Sequence, residues 1–138
     1  MKVLLVVHAA ATFYMAGIIW FVQIVHYPLF GSIGEPNFID CQRFHLSRVT
    51  WIVAPGMAAE TVTAALLVFL HPTSLLLKLG AALLALIWWT TIFRQVPRHN
   101  VLALGYNVIV HRGLVRSNWI RTCAWTLRGV IAAGLLLA

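Results

Sequence analysis

The chain is 138 residues long, 62% hydrophobic and only 9% charged, with a mean hydropathy of +0.90. A soluble domain carries about a quarter of its residues as charges, so an ordinary cytosolic globular domain is excluded, as is disorder. Ten Lys+Arg against three Asp+Glu give a net charge of +7, but the basic residues stand between apolar runs, which points to topology or anionic headgroups rather than nucleic acid.

About 20 apolar residues are needed to cross a 30 Å hydrocarbon core as helix. Four stretches qualify, and they predict an all-α, polytopic four-transmembrane-helix bundle forming one domain over residues 1–138. The first span runs over 3–25; it continues through Trp20 and Phe21, longer than a signal-peptide core, so it reads as a retained helix. Residues 27–47 form a link opening with Tyr27-Pro28, and its later part, 37–48, has the spacing of a short interfacial helix. The second span runs over 49–70, the tight turn His71-Pro72-Thr73 follows, and the third runs over 75–93. The stretch 98–116 contains an apolar run too short to cross and reads as an interfacial or re-entrant segment. The fourth span, 119–137, is interrupted by Arg121 and Arg128.

The two long links hold Arg43, Arg48, Arg94, Arg98, Arg112 and Arg116, whereas the opposite face, side A, holds Lys2 and Lys78. The positive-inside rule puts the arginine-rich face, side B, in the cytoplasm of a bacterial-type inner (plasma) membrane, with both termini on the non-cytoplasmic side. An anionic substrate on side B is the other explanation of the same arginines.

Ionisable groups at depth are functional candidates by default. Glu60 is the only acid in any span and lies eleven residues in from Val49, roughly 16 Å deep at the helical rise. Arg128 lies at similar depth, so the two can neutralise each other, either as a register-fixing pair or as a proton-handling or substrate carboxylate. Asn118, Arg121, Trp125 and Arg128 share one face of the fourth span. Two arginines on one inward face exceed what a single Glu can neutralise, which calls for an anionic small molecule between the helices; the alternative is that Arg121 snorkels to the headgroups. His8, several residues inside hydrocarbon, needs a partner or a ligand, and haem iron is a natural one. Around side B stand His26, His45, His99 and His111, without ligand spacing on any one helix but able to converge on copper or iron. Small residues in the second and third spans permit close packing or a homodimer. One short echo, Gln23-Ile24-Val25-His26-Tyr27-Pro28 against Gln95-Val96-Pro97-Arg98-His99, is compatible with a two-fold helical-hairpin repeat.

These residues resemble a family pattern. His8 followed by Tyr14-Met15-Ala16-Gly17, Arg48 before Pro55-Gly56-Met57, Lys78 opening the third span and Asn118 opening the fourth are similar to elements of the small haem-binding bacterial protoporphyrinogen IX oxidases and the related copper-resistance membrane domain. The resemblance implies a four-helix membrane oxidoreductase binding haem b, with His8 as axial ligand, Met15, Met57 or His71 available to complete the coordination, and Lys78 near a propionate or substrate. Tyr14 in place of Trp, Trp119 in place of an acid, and a His8–Met15 spacing one residue short depart from that pattern. Taken together, the expected function is a haem- or metal-dependent redox protein; Glu60, Arg121, Arg128 and Lys78 are the catalytic candidates, and His8, Met57, Asn118 and Trp125 the cofactor-binding ones. A small-molecule or ion transporter or binder centred on Glu60 and Arg128 is the alternative, as is a structural accessory subunit.

Overall fold

The computed structural model describes residues 2–137. Four helices carry the chain: α1, Lys2–Phe30; α2, Glu35–Leu70; α3, Leu75–Leu102; and α4, Val108–Leu137. Each is long and apolar enough to cross a membrane. Consecutive helices pack against each other, and α4 closes the ring against α1. The His71–Ser74 turn lies at the same end as both termini, and the 31–34 and 103–107 links lie at the other.

The helices outrun the apolar stretches that predict them. α2 has 36 residues, about 54 Å at the α-helical rise against the ~30 Å of hydrocarbon. Separate interfacial helices over 37–48 and 98–116 are therefore not present; those residues are the side-B ends of α2, α3 and α4. Polar positions such as Glu35, Asp40 and Arg43 carry these ends beyond the reach of a hydropathy argument without weakening the helix.

Local chemistry sets the boundaries. The Ser74 hydroxyl accepts from Leu77 N at the start of α3, and Asn107 Oδ1 accepts from both Ile109 N and Val110 N, 3.0 Å each, at the start of α4. Pro36 occupies the first turn of α2, where its missing N–H costs nothing. Inside α1 and α3, one wide π-turn precedes each internal proline: Val22–His26 before Pro28, and Thr91–Gln95 before Pro97. A proline ring meets the carbonyl four residues back, Ile24 or Phe93 here, and widening that turn lets the helix continue past it.

The core has two parts. Met15, Ile19, Met57, Ile87, Ala124 and Trp125 fill the middle of the bundle. Tyr27, Phe30, Phe38, Leu102 and Leu114 close its side-B end. Gly56 is the point of closest approach between α1 and α2: a Cβ there would stand 2.5 Å from Met15 Sδ and 3.1 Å from Tyr14 Cδ1. Gly56→Ala is therefore expected to cost about 1–3 kcal/mol by overpacking, read as a lowered unfolding midpoint in mixed micelles.

Candidate functional site

Glu60 and Arg128 meet in mid-bundle, 0% and 2% exposed. Arg128 Nη2 and Nε donate to Glu60 Oε1 at 3.1 and 3.3 Å, Trp125 Nε1 donates to Glu60 Oε2 at 2.7 Å, and Arg128 Nη1 donates to the Gly80 carbonyl. Both carboxylate oxygens are engaged, and the guanidinium is held from α2 and α3 at once. The pair is internally neutralised and ties α2, α3 and α4 together.

His8 is satisfied in a similar way. Its Nδ1 pairs with Thr63 Oγ1 at 2.8 Å, and Thr63 also donates to the Ala59 carbonyl at 2.7 Å. The space bounded by His8, Gly80 and Arg128 is about 10 Å³, room for one water and not for a porphyrin. A haem on His8 does not fit this packing. Thr63→Val, which leaves the imidazole nitrogen without its partner, should lower stability by about 1–3 kcal/mol, measured by SDS-induced unfolding from micelles. Lys78 is exposed on the outside of α3, one position off the buried row of Leu77, Gly80, Leu84 and Ile87, so the structure does not bring it to Glu60 or Arg128.

The chemistry collects instead at the side-B half. A cavity of about 270 Å³ lies among all four helices. Met15, Ile19, Val53, Met57 and Trp88 give it apolar walls, and Tyr27, His45, Gln95, His99, Asn100 and Arg121 supply its polar groups. Arg121, 7% exposed, does not snorkel. It donates to Asn118 Oδ1 at 3.1 Å, lies over the Trp125 ring at 5.2 Å and faces the Tyr27 hydroxyl. Asn118 is itself fixed by donating to Gln23 Oε1 at 2.9 Å. Among the described residues the one salt bridge is Glu60–Arg128, so Arg121 is a buried cation without a carboxylate. Its Nε is buried and without a partner, as are Gln42 Oε1 and His26 Nε2 nearby.

A directed chain of hydrogen bonds lines the same end. Gln42 Nε2 donates to the His99 carbonyl at 3.2 Å and pairs with His99 Nδ1 at 3.0 Å, which makes Nδ1 an acceptor and puts the ring proton on Nε2. His99 Nε2 then donates to Tyr27 Oη at 3.2 Å, Tyr27 Oη donates to Gln95 Oε1 at 3.2 Å, and Gln95 Nε2 donates to Ser117 Oγ at 2.9 Å. The chain fixes each rotamer and the tautomer of His99.

Three of the four side-B histidines converge from different helices. His26 and His45 stack with ring centroids 4.4 Å apart, and His45 and His99 with centroids 5.4 Å apart. Stacked rings hold their nitrogens side by side rather than aimed at one point, and among the described residues no three His, Cys, Asp or Glu side chains form a group that could hold a metal ion. His111 stands apart, bonded through Nε2 to the Tyr27 carbonyl at 2.9 Å, where it satisfies an orphan acceptor at the end of α1. Copper or iron on the four-histidine set does not fit this arrangement.

Tyr27, Gln42 and Gln95 were not singled out as site residues by sequence reasoning. The signals existed: Tyr27 falls one turn after the buried Gln23, and Gln42 falls one turn before His45 on the same face. No protein-family model, curated protein or solved structure matches the chain.

Proposed function

We propose that this chain is an integral membrane protein that binds an apolar molecule bearing an acidic group in the cavity between its four helices, with Arg121 as the anion anchor. The observation that carries the reading is the buried, uncompensated guanidinium at the head of an otherwise apolar cavity. Burying a cation without a counter-ion is costly, and an acidic ligand supplies the missing charge together with an acceptor for the unpartnered Nε. Met57 and Trp88 would line the hydrocarbon part. Tyr27, Gln95 and the His45–His99 pair would surround the head with neutral polar groups. Trp125 and Asn118 serve as supports, one holding Glu60 and stacking under Arg121, the other orienting Arg121. The binding role thus moves from Arg128, which is already neutralised, to Arg121. The arginine-rich end of the bundle is the cytoplasmic one by the positive-inside rule.

The test is a pair of ligands with the same hydrocarbon chain and a charged or a neutral head. Dodecanoate should raise the unfolding temperature of the purified protein in micelles, dodecanol should do so weakly, and Arg121→Gln should erase the difference. Equal shifts from the acid and the alcohol in the wild type would refute the reading.

A further inference from the structure

The two halves of the chain share a pattern of residues and turns at a nearly constant offset. Trp20 and Pro28 recur as Trp89 and Pro97, and the π-turn Val22–His26 recurs as Thr91–Gln95, all 69 positions on (97 − 28). One residue shorter across the link, Leu46, Arg48, Trp51 and Ile52 recur as Leu114, Arg116, Trp119 and Ile120, 68 positions on (116 − 48). Val62, Ala64, Ala65 and Leu67 follow as Val130, Ala132, Ala133 and Leu135. In this register Glu60 corresponds to Arg128, so the mid-bundle ion pair joins equivalent positions of the two copies. Both hairpins start at the same end, which is the arrangement of a parallel repeat about an axis along the bundle.

Such a repeat makes the α1–α4 seam equivalent to the α3–α2 seam, yet the two differ. The α1–α4 seam is shut by Gln23–Asn118 at 2.9 Å, Trp20–Thr126 at 3.0 Å and the edge-on Trp20–Trp119 pair with centroids 5.8 Å apart. The equivalent residues across α3–α2 are Ile92 and Thr50, Trp89 and Ala58, and Trp89 and Trp51. None of these pairs can form the same hydrogen bonds; those that do cross this seam, Trp88 Nε1 to Thr61 Oγ1 at 3.0 Å and Gln42 Nε2 to the His99 carbonyl at 3.2 Å, lie on either side of the Thr50–Ala54 stretch and leave it unbridged. Trp51 is 80% exposed and Ile92 49%, and this is the sparsest of the four seams. The Arg121 cavity reaches the surface here: Thr50 and Ala54 on α2, and Trp88 and Val96 on α3, line the cavity and are also exposed.

We infer that the α2–α3 seam is a lateral portal through which the ligand of the Arg121 cavity enters from the lipid phase. This rests on the function proposed above and narrows the ligand class to bilayer-dissolved acids whose hydrocarbon chain runs out between α2 and α3. The mouth residues Ala54, Trp88 and Val96 are mainly apolar, and the cation lies inside, so the polarity of the passage matches an acid that enters head first. A second groove, between α1 and α2 and lined by Gly17, Phe21, Cys41 and Arg48, is the competing route.

The experiment uses the full chain in lipid nanodiscs with a fatty acid carrying a photoreactive diazirine on its tail. Labelling of cavity peptides is followed against time after mixing, using Ala54→Trp to block the seam, Gly17→Trp to block the other groove, and Arg121→Gln. A Cβ at Gly17 meets nothing within 4 Å, and Ala54 is exposed at the cavity mouth, so an equilibrium plateau of Ala54→Trp equal to that of the wild type is the check that its tryptophan blocks the mouth and leaves the site intact. The expected result is labelling slowed severalfold by Ala54→Trp and unchanged by Gly17→Trp, with the plateau lowered about tenfold or more by Arg121→Gln. Slowing by Gly17→Trp instead overturns the portal while leaving the site. A dimer that Ala54→Trp dissociates also overturns it, in favour of a second copy covering the seam. A plateau indifferent to Arg121→Gln overturns the site reading, and an unlabelled wild-type cavity overturns both.

Discussion

Arg128→Met should lower the unfolding free energy by about 3–5 kcal/mol, because it leaves the Glu60 carboxylate buried and unpaired. Glu60→Gln should cost a similar amount, since it leaves the guanidinium facing a neutral amide. The double variant Glu60→Gln with Arg128→Met should come back to within about 1 kcal/mol of the wild type: the remaining amide can still accept from Trp125 Nε1, and no charge is left at this site. SDS titration of the four proteins in mixed micelles closes the cycle. Additive single effects would show that the pair does not hold the helices in register.

Arg121→Gln should do the opposite. Removing the uncompensated cation is expected to stabilise the ligand-free protein by about 1–3 kcal/mol, while the shorter amide keeps a donor for Asn118 Oδ1. The same change should weaken binding of dodecanoate about 10–100-fold, the worth of a charge-assisted hydrogen bond in a buried site. Stability gained and affinity lost at one residue is the signature of a group held for a ligand rather than for the fold. A loss of stability comparable to that of Arg128→Met would instead make Arg121 a structural residue. The contrast between two arginines less than two turns apart on α4 separates the roles that a shared helix face left joined.

Much of the architecture is legible in the sequence, because crossing a bilayer imposes a length and a composition that few other folds produce. The apolar runs locate all four helices. They miss the side-B extensions because those turns are polar, and polar residues such as Glu and Arg are as good helix formers as apolar ones. The Glu60–Arg128 pair follows from depth alone, and the inward face of Asn118, Arg121, Trp125 and Arg128 follows from spacing. The imidazole stack is not legible, because His26, His45 and His99 come from three helices whose rotation about their axes no single-helix pattern records. The close packing beside His8, where α3 and α4 leave room for one water, is not legible either, because it is set by other helices. Lys78 could have been set aside from its register beside Leu77. Of the echo of Gln, Pro and His only Pro28–Pro97 falls in the register of the repeat, whose stronger half, Leu46–Ile52 against Leu114–Ile120, lies at an offset one residue different.

The central claim is that the cavity at Arg121 holds an acid. Native mass spectrometry of the protein released from a mild detergent, wild type beside Arg121→Gln, tests it directly on whatever the cell supplies. The wild type is expected to carry an adduct that extracts into organic solvent and ionises as an anion, and Arg121→Gln to lack it. An adduct retained in full by Arg121→Gln, or one that proves to be neutral, would contradict the account.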